Sequence, residues 1–225
     1  MNIALRLFKS SLGKKFLMAV TGGALFLFAV GHMAGNLQIF LGPEALNRYG
    51  HFLQSTPEIL WPTRIGLLVC LVVHLGAAAM LIIENQRARD TEYEKKELVA
   101  VSYASRTMML SGVIVFAFVV FHLLHFTAQS VDPQYREWQD AAGRHDVYRM
   151  VVAGFSSLWV AGFYLLGVGL LCLHLSHGLS AMAQSLGLKN EVNACAFDCG
   201  AKIVAVALFA GYAAVPVGVM MGWVK

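Results

Sequence analysis

Five runs of apolar residues, each longer than the ~20 needed to cross a hydrocarbon layer, alternate with short polar segments along this chain. They cover Lys15–Leu41, Pro62–Glu84, Arg106–Ser130, Val151–Leu186 and Cys199–Val224. This pattern predicts five membrane-spanning helices. The fourth run is long enough to tilt or to project past the headgroups. The first is too long for a signal-peptide core and lacks a small-residue cleavage pattern, so it is read as retained. Residues 1–14 place Arg6, Phe8 and Lys9 among apolar neighbours, the signature of a helix lying along the membrane surface. The polar connections are short. The longest on the far side, Val131 to Arg149, predicts a short amphipathic turn around Tyr135–Gly143. No internal repeat, low-complexity tract or second domain is evident, so residues 1–225 are read as one all-α membrane domain.

Composition sharpens this picture. Of 225 residues 58% are hydrophobic and 13% charged, a balance far from that of a soluble domain. The 17 Lys and Arg divide unevenly between the two sides. Arg6, Lys9, Lys14, Lys15, Arg87, Arg89, Lys95, Lys96, Arg106, Lys189 and Lys202 fall on the side of the N-terminus. Arg48, Arg64, Arg136, Arg144, Arg149 and Lys225 fall on the other. The positive-inside rule then predicts a cytoplasmic N-terminus and an outer C-terminus. The net charge of +4 reports topology and requires no nucleic acid. Cys70 and Cys172 lie within spans as small apolar residues. Cys195 and Cys199 alone supply half the ligands of a tetrahedral metal site.

The candidate chemistry lies in four histidines, His32, His74, His122 and His177, one on each of the first four spans. At 1.5 Å of rise per residue, His32 (from Lys15) and His122 (from Arg106) sit about 24–26 Å from the cytoplasmic helix ends. His74 (from Glu84) and His177 (from Lys189) sit about 15–18 Å in. One membrane histidine alone is explained as well by an interhelical hydrogen bond. Four in two matched layers fit two stacked haems, each clamped between a pair of rings. Gly31, Gly35, Gly76, Gly112 and Gly178 next to these histidines, with Thr21 and Ser111, offer clearance for a flat macrocycle. His125 and His174 stand three residues from His122 and His177 and share their faces. They are rival ligands, or line a haem edge or bond a propionate. No Asp or Glu falls in the hydrocarbon part of any span, so no carboxylate relay through the membrane is visible.

Short stretches around these histidines carry a resemblance. They are Ala29-Val-Gly-His-Met33, Val72-Val-His-Leu75, Val120-Phe-His-Leu123, His174-Leu-Ser-His-Gly-Leu-Ser180 with Gln184-Ser-Leu-Gly187, and Tyr103-Ala-Ser-Arg-Thr107. In order and spacing the chain resembles the cytochrome b membrane anchor of succinate:quinone oxidoreductases and quinol:fumarate reductases, of the single-subunit, five-helix, dihaem type. The resemblance implies two haems b, with His32 and His122 holding the one far from the cytoplasm and His74 and His177 the near one. It implies flavoprotein and iron–sulfur partner subunits on the cytoplasmic face, a bacterial inner membrane, and menaquinone as the redox partner. The chain itself has no dinucleotide fingerprint and no iron–sulfur cysteine cluster, so it would only pass electrons on.

Ser105, Arg106 and Lys189 are placed to meet near-haem propionates and Arg64 those of the far haem, although Arg106 equally suits a positive-inside flank. His51, Glu58 and Trp61 on the first outer loop are the candidate quinone residues. Two other readings stand beside this one. The first is the dihaem subunit of another quinol-linked complex of the nitrate reductase or formate dehydrogenase type. The second is a small transporter with structural histidines, which would be expected to show pseudo-symmetric halves and broken helices.

Overall fold

The structure, a computed structural model, describes residues 10–87 and 108–225. Five helices are long and apolar enough to cross a membrane. Among the described residues there is no strand, only an isolated bridge between Gln139 and His145. Helix α1 (Ser11–Asn36) starts at the Ser10 side chain, which accepts the Gly13 N–H. It tightens into a 3₁₀ turn over Leu37–Leu41 and stops at Gly42, whose φ of 96° suits only glycine well. Residues 11–14, grouped with the surface helix in the sequence reading, are instead the first turn of α1. Residues 1–9 lie outside the described set.

Helix α2 (Pro43–Gln54) occupies what the sequence left as a loop. Pro43 at the first helical position and Glu44 in the first turn favour that start. Helix α3 (Pro57–Arg87) begins five residues before the expected Pro62. A proline so near the start of a helix removes one hydrogen bond without breaking it. Helix α4 (Met108–His122) ends in a π turn over Leu123–Thr127. The expected fourth span is two helices, α5 (Val147–Phe155) and α6 (Leu158–Ser185). Ser156 turns its hydroxyl back onto the Val152 carbonyl, and Ser157 adopts an extended conformation that starts α6. Helix α7 (Ala194–Met220) completes the chain.

Helix α1 packs on α3 and α6, α4 packs on α6, and α7 lies against α6 and α1. Contact between α3 and α4 is slight or absent, so these two flank the middle of the bundle without closing it. The outward faces carry exposed Leu27, Leu68, Val72, Val113, Leu166 and Val206, surface that lipid rather than water would cover. Exposed Trp61, Trp159 and Trp223 all lie toward one end, as in an interfacial aromatic belt.

That end is capped by α2, α5 and the 128–146 segment. Asn47, 1% exposed, faces both Asp146 (3.0 Å) and Asp140 (3.4 Å) and accepts the Tyr148 N–H at 2.8 Å. Arg144 bridges Glu44 (2.6 Å) and Asp140 (2.7 Å). Its hydrogen bonds hold Glu44 below the usual range and Asp140 at about 2. A carboxylate depressed in the fold stabilises it above its ordinary pKa near 4 and loses that contribution as pH falls through the folded value. Hydrogen-exchange protection factors of residues 128–146, taken against the intrinsic rate at each pH, should therefore be constant from pH 5 to 8 and fall between about 4 and 2. Equal protection at pH 3 and pH 7 would contradict this role for Arg144.

Candidate functional site

The basic end of the bundle shows how residues near the histidines are already committed. Lys14 is buried and paired with Glu84, which also accepts from Ser11. It ties α1 to α3. Lys189 bonds Asp198 (2.6 Å) and Ser180 (2.8 Å), tying the end of α6 to the start of α7. Its ammonium thus already has two protein partners, Asp198 and Ser180. Ser105 and Arg106 lie outside the described residues.

In the layer nearer the capped end, the His32 and His122 rings stand 5.7 Å apart between centres, nearly perpendicular at 77°. Metal–nitrogen bonds of about 2 Å on both sides of one metal set two imidazole centres about 6 Å apart. Phe28 stacks on His32 at 5.4 Å and Phe118 lies 6.3 Å from His122. Both histidines are half-buried, and among the described residues neither ring has a hydrogen-bond partner. Tyr212 of α7, which no motif in the sequence marks, approaches His32 to 6.3 Å and donates to the Ala29 carbonyl at 2.6 Å.

In the layer nearer the basic end, His74 Nδ1 lies 3.1 Å from the Met18 carbonyl and 3.4 Å from Thr21 Oγ1. A carbonyl only accepts, so Nδ1 carries the hydrogen and Nε2 keeps its lone pair. His174 repeats the arrangement. Its Nδ1 lies 3.3 Å from Ser111 Oγ, and Ser111 spends its own hydrogen on the Met108 carbonyl. Nδ1 again donates and Nε2 is left free. Metal-bound histidines are held in this way, one nitrogen fixed by a protein acceptor and the other ligating.

His174 lies within electrostatic range of His74 and of His177, whereas the charged neighbours of His177 are Lys189 and Asp198. Of the two, His174 is therefore the candidate partner of His74. His177 stands one turn closer to the basic end.

Glycine at residue 22 makes the first of these approaches possible, whereas residue 112 has room for a side chain. A side chain at residue 22 would stand 3.0 Å from His74 Cε1, and one at residue 112 would stand 3.6 Å from His174 Cε1. The hydroxyl–glycine pairs Thr21-Gly22 and Ser111-Gly112 therefore each receive a histidine from the next long helix. Each also precedes a capped-layer histidine by the same distance along its own helix. Thr21-Gly-Gly-Ala-Leu-Phe-Leu-Phe-Ala-Val-Gly-His32 parallels Ser111-Gly-Val-Ile-Val-Phe-Ala-Phe-Val-Val-Phe-His122. Hydroxyl, glycine, both phenylalanines, valine and histidine coincide. This short repeat, overlooked in the sequence reading, relates α1 to α4. The Val73-His74-Leu75 and Leu173-His174-Leu175 stretches relate α3 to α6 in the same way.

Other expected residues fall elsewhere. Gly35 is packed by Tyr49 rather than left as clearance, while Gly31, Gly76 and Gly178 have no neighbour within 4 Å. His125 is 1% exposed and engaged by Tyr164 and Asp132, so it is not free for a propionate. His51 on α2 and Glu58 and Trp61 on the first turns of α3 are all exposed. Arg64 lies 5.4 Å from the Trp61 ring centre. A shallow, open surface depression of about 350 Å³ is lined by Gln38, Ala45, Arg48, Tyr49 and Phe52. No family model, no curated protein and no solved structure matches this chain.

Proposed function

We propose that this chain is a dihaem cytochrome b anchor that carries electrons across a bacterial inner membrane. It would link an iron–sulfur partner at its basic, cytoplasmic face to a membrane quinone, menaquinone by resemblance, in a succinate:quinone oxidoreductase or quinol:fumarate reductase. The observation that carries the reading is the pairing of histidines from four helices into two layers, with ring nitrogens left unclaimed by protein in both.

His32 and His122 would hold the haem iron of the capped layer, and His74 and His174 that of the other layer. Haem b, once bound, supplies one-electron carriage. The chain's own residues do the rest. Met18, Thr21 and Ser111 fix the tautomer and orientation of His74 and His174. Phe28, Phe118 and Phe126 line the capped-layer rings and exclude water from them. Gly22 lets the His74 ring approach α1. Arg48, Gln38 and Tyr49 place a cation, an amide and a phenol around a surface depression at headgroup depth, the polar contacts a quinone ring requires.

The test is quinol-driven reduction. In native membranes a reduced menaquinone analogue should reduce the haem absorbance, and detergent extraction should bring a flavoprotein and an iron–sulfur protein down with the chain. Haem that dithionite reduces but quinol does not, in a chain purified without partners, would reject the quinone-linked role.

A further inference from the structure

The π turn at Leu123–Thr127 does something specific to His125. In a regular α-helix it would share a face with His122. The extra residue in the turn, closed by Ala128 N–H on the Leu123 carbonyl at 2.7 Å, accompanies a fully buried position for the ring. There Nδ1 lies 3.0 Å from the Tyr164 hydroxyl and Nε2 lies 3.4 Å from Asp132 Oδ2. Facing the ring are Asp132 and Tyr135 from the capping segment, Tyr164 from α6, and His122 one turn back. Gly154 of α5 admits it, since a side chain there would come within 3.3 Å of Cε1.

The two ends of this contact differ in access. The Asp132 side chain is 36% exposed at the capped surface. Tyr164 is 5% exposed and its ring centre lies 5.9 Å from that of His122. The three groups thus link water to the interior of the capped layer. A neutral imidazole with its hydrogen on Nε2 offers that hydrogen to the carboxylate and accepts the tyrosine O–H on Nδ1, so all three dipoles point outward. Tyr135, whose phenol is pushed up to about 12 by burial and then by the Asp132 charge, stays neutral beside them.

We propose that Tyr164, His125 and Asp132 form a proton path between the capped layer and water at that end, serving a quinol or quinone that reacts there. The inference rests on the proposed electron-transfer role. In each outward passage an O–H or N–H bond forms for every one broken. A proton released by the quinol in the capped layer reaches the Tyr164 oxygen as that oxygen passes its own to Nδ1. Nε2 then gives its proton to Asp132, which releases it to water. The quinol's electrons leave separately, toward the histidine layers. A hydrogen-bonded clamp holding the capping segment is the competing use of the same contacts.

Asp132→Asn separates the two. It keeps an oxygen facing Nε2 but removes the group that accepts and releases a proton. In the intact complex the variant should keep both haem absorbances and wild-type thermal stability. Its quinol-driven turnover should fall by about tenfold or more and recover in part with millimolar formate. The redox-induced infrared difference spectrum should lose its carboxyl band. Wild-type turnover together with an unchanged infrared difference in a haem-replete Asp132→Asn complex would overturn the path and leave the clamp. Absence of haem from the wild-type protein would instead overturn the electron-transfer reading and the path with it.

Discussion

On the proposed dihaem role, alanine at His32, His122, His74 or His174 should halve the haem content of the purified chain, and alanine at His177 should leave it whole. Each of the first four variants removes one of two ligands from one layer and leaves the other layer intact. A ring lost from a bis-histidine site leaves the iron one strong bond and a cavity open to exchange. His32→Ala and His122→Ala should lose the same spectral component, and His74→Ala and His174→Ala the other. The measurement is extracted haem per chain together with the low-temperature reduced spectrum. Loss of haem in His177→Ala with retention in His174→Ala would reverse the assignment within that layer.

The second large effect falls on a residue without functional groups. Gly22→Val should lose the haem held by His74 while keeping the one held by His32 and His122. The β-carbon alone would stand 3.0 Å from His74 Cε1, and the two further methyls of valine exceed any give in a ring held to Met18 and Thr21. Overpacking of this kind costs about 1–3 kcal/mol, and a ring that turns away avoids it most readily. Gly66→Ala in α3, where nothing lies within 4 Å, is the matched control and should retain both haems. Full haem content in Gly22→Val would show that His74 does not sit against α1 in the loaded protein.

Much of the architecture is legible in the residues themselves, because crossing lipid demands long apolar runs that few other structures need. The four long runs on α1, α3, α4 and α7 lie close to where hydropathy sets them. The parts that escape reading are those where short amphipathic segments border long apolar ones. Helix α2 is hidden among prolines and polar side chains, although Pro43-Glu44 is a helix start. The α5–α6 break is hidden because Ser156-Ser157 changes hydropathy little while redirecting the backbone.

The order of His174 and His177 turns on where helix α6 ends. Depth was counted from Lys189, but α6 ends at Ser185 and the chain turns at Gly187, so the last residues contribute no helical rise. Counted from the helix ends at Ser185 and Arg87, His174 lies about 16 Å in, His177 about 12 Å and His74 about 20 Å. His125 escapes because a π turn leaves no mark in hydrophobic periodicity. The Thr21 and Ser111 repeat was readable but weak, since six matching positions gain meaning only when the histidines they receive are known.

The central claim is that two layers of paired histidines hold two haems. The full chain, purified from membranes of a haem-sufficient host, tests it through its dithionite-reduced minus oxidised absorption spectrum read against protein concentration. Two low-spin b-type haems per chain is the result this account predicts. A spectrum without haem absorbance, or one whose single haem survives alanine at each of His32, His74, His122 and His174 in turn, would contradict it.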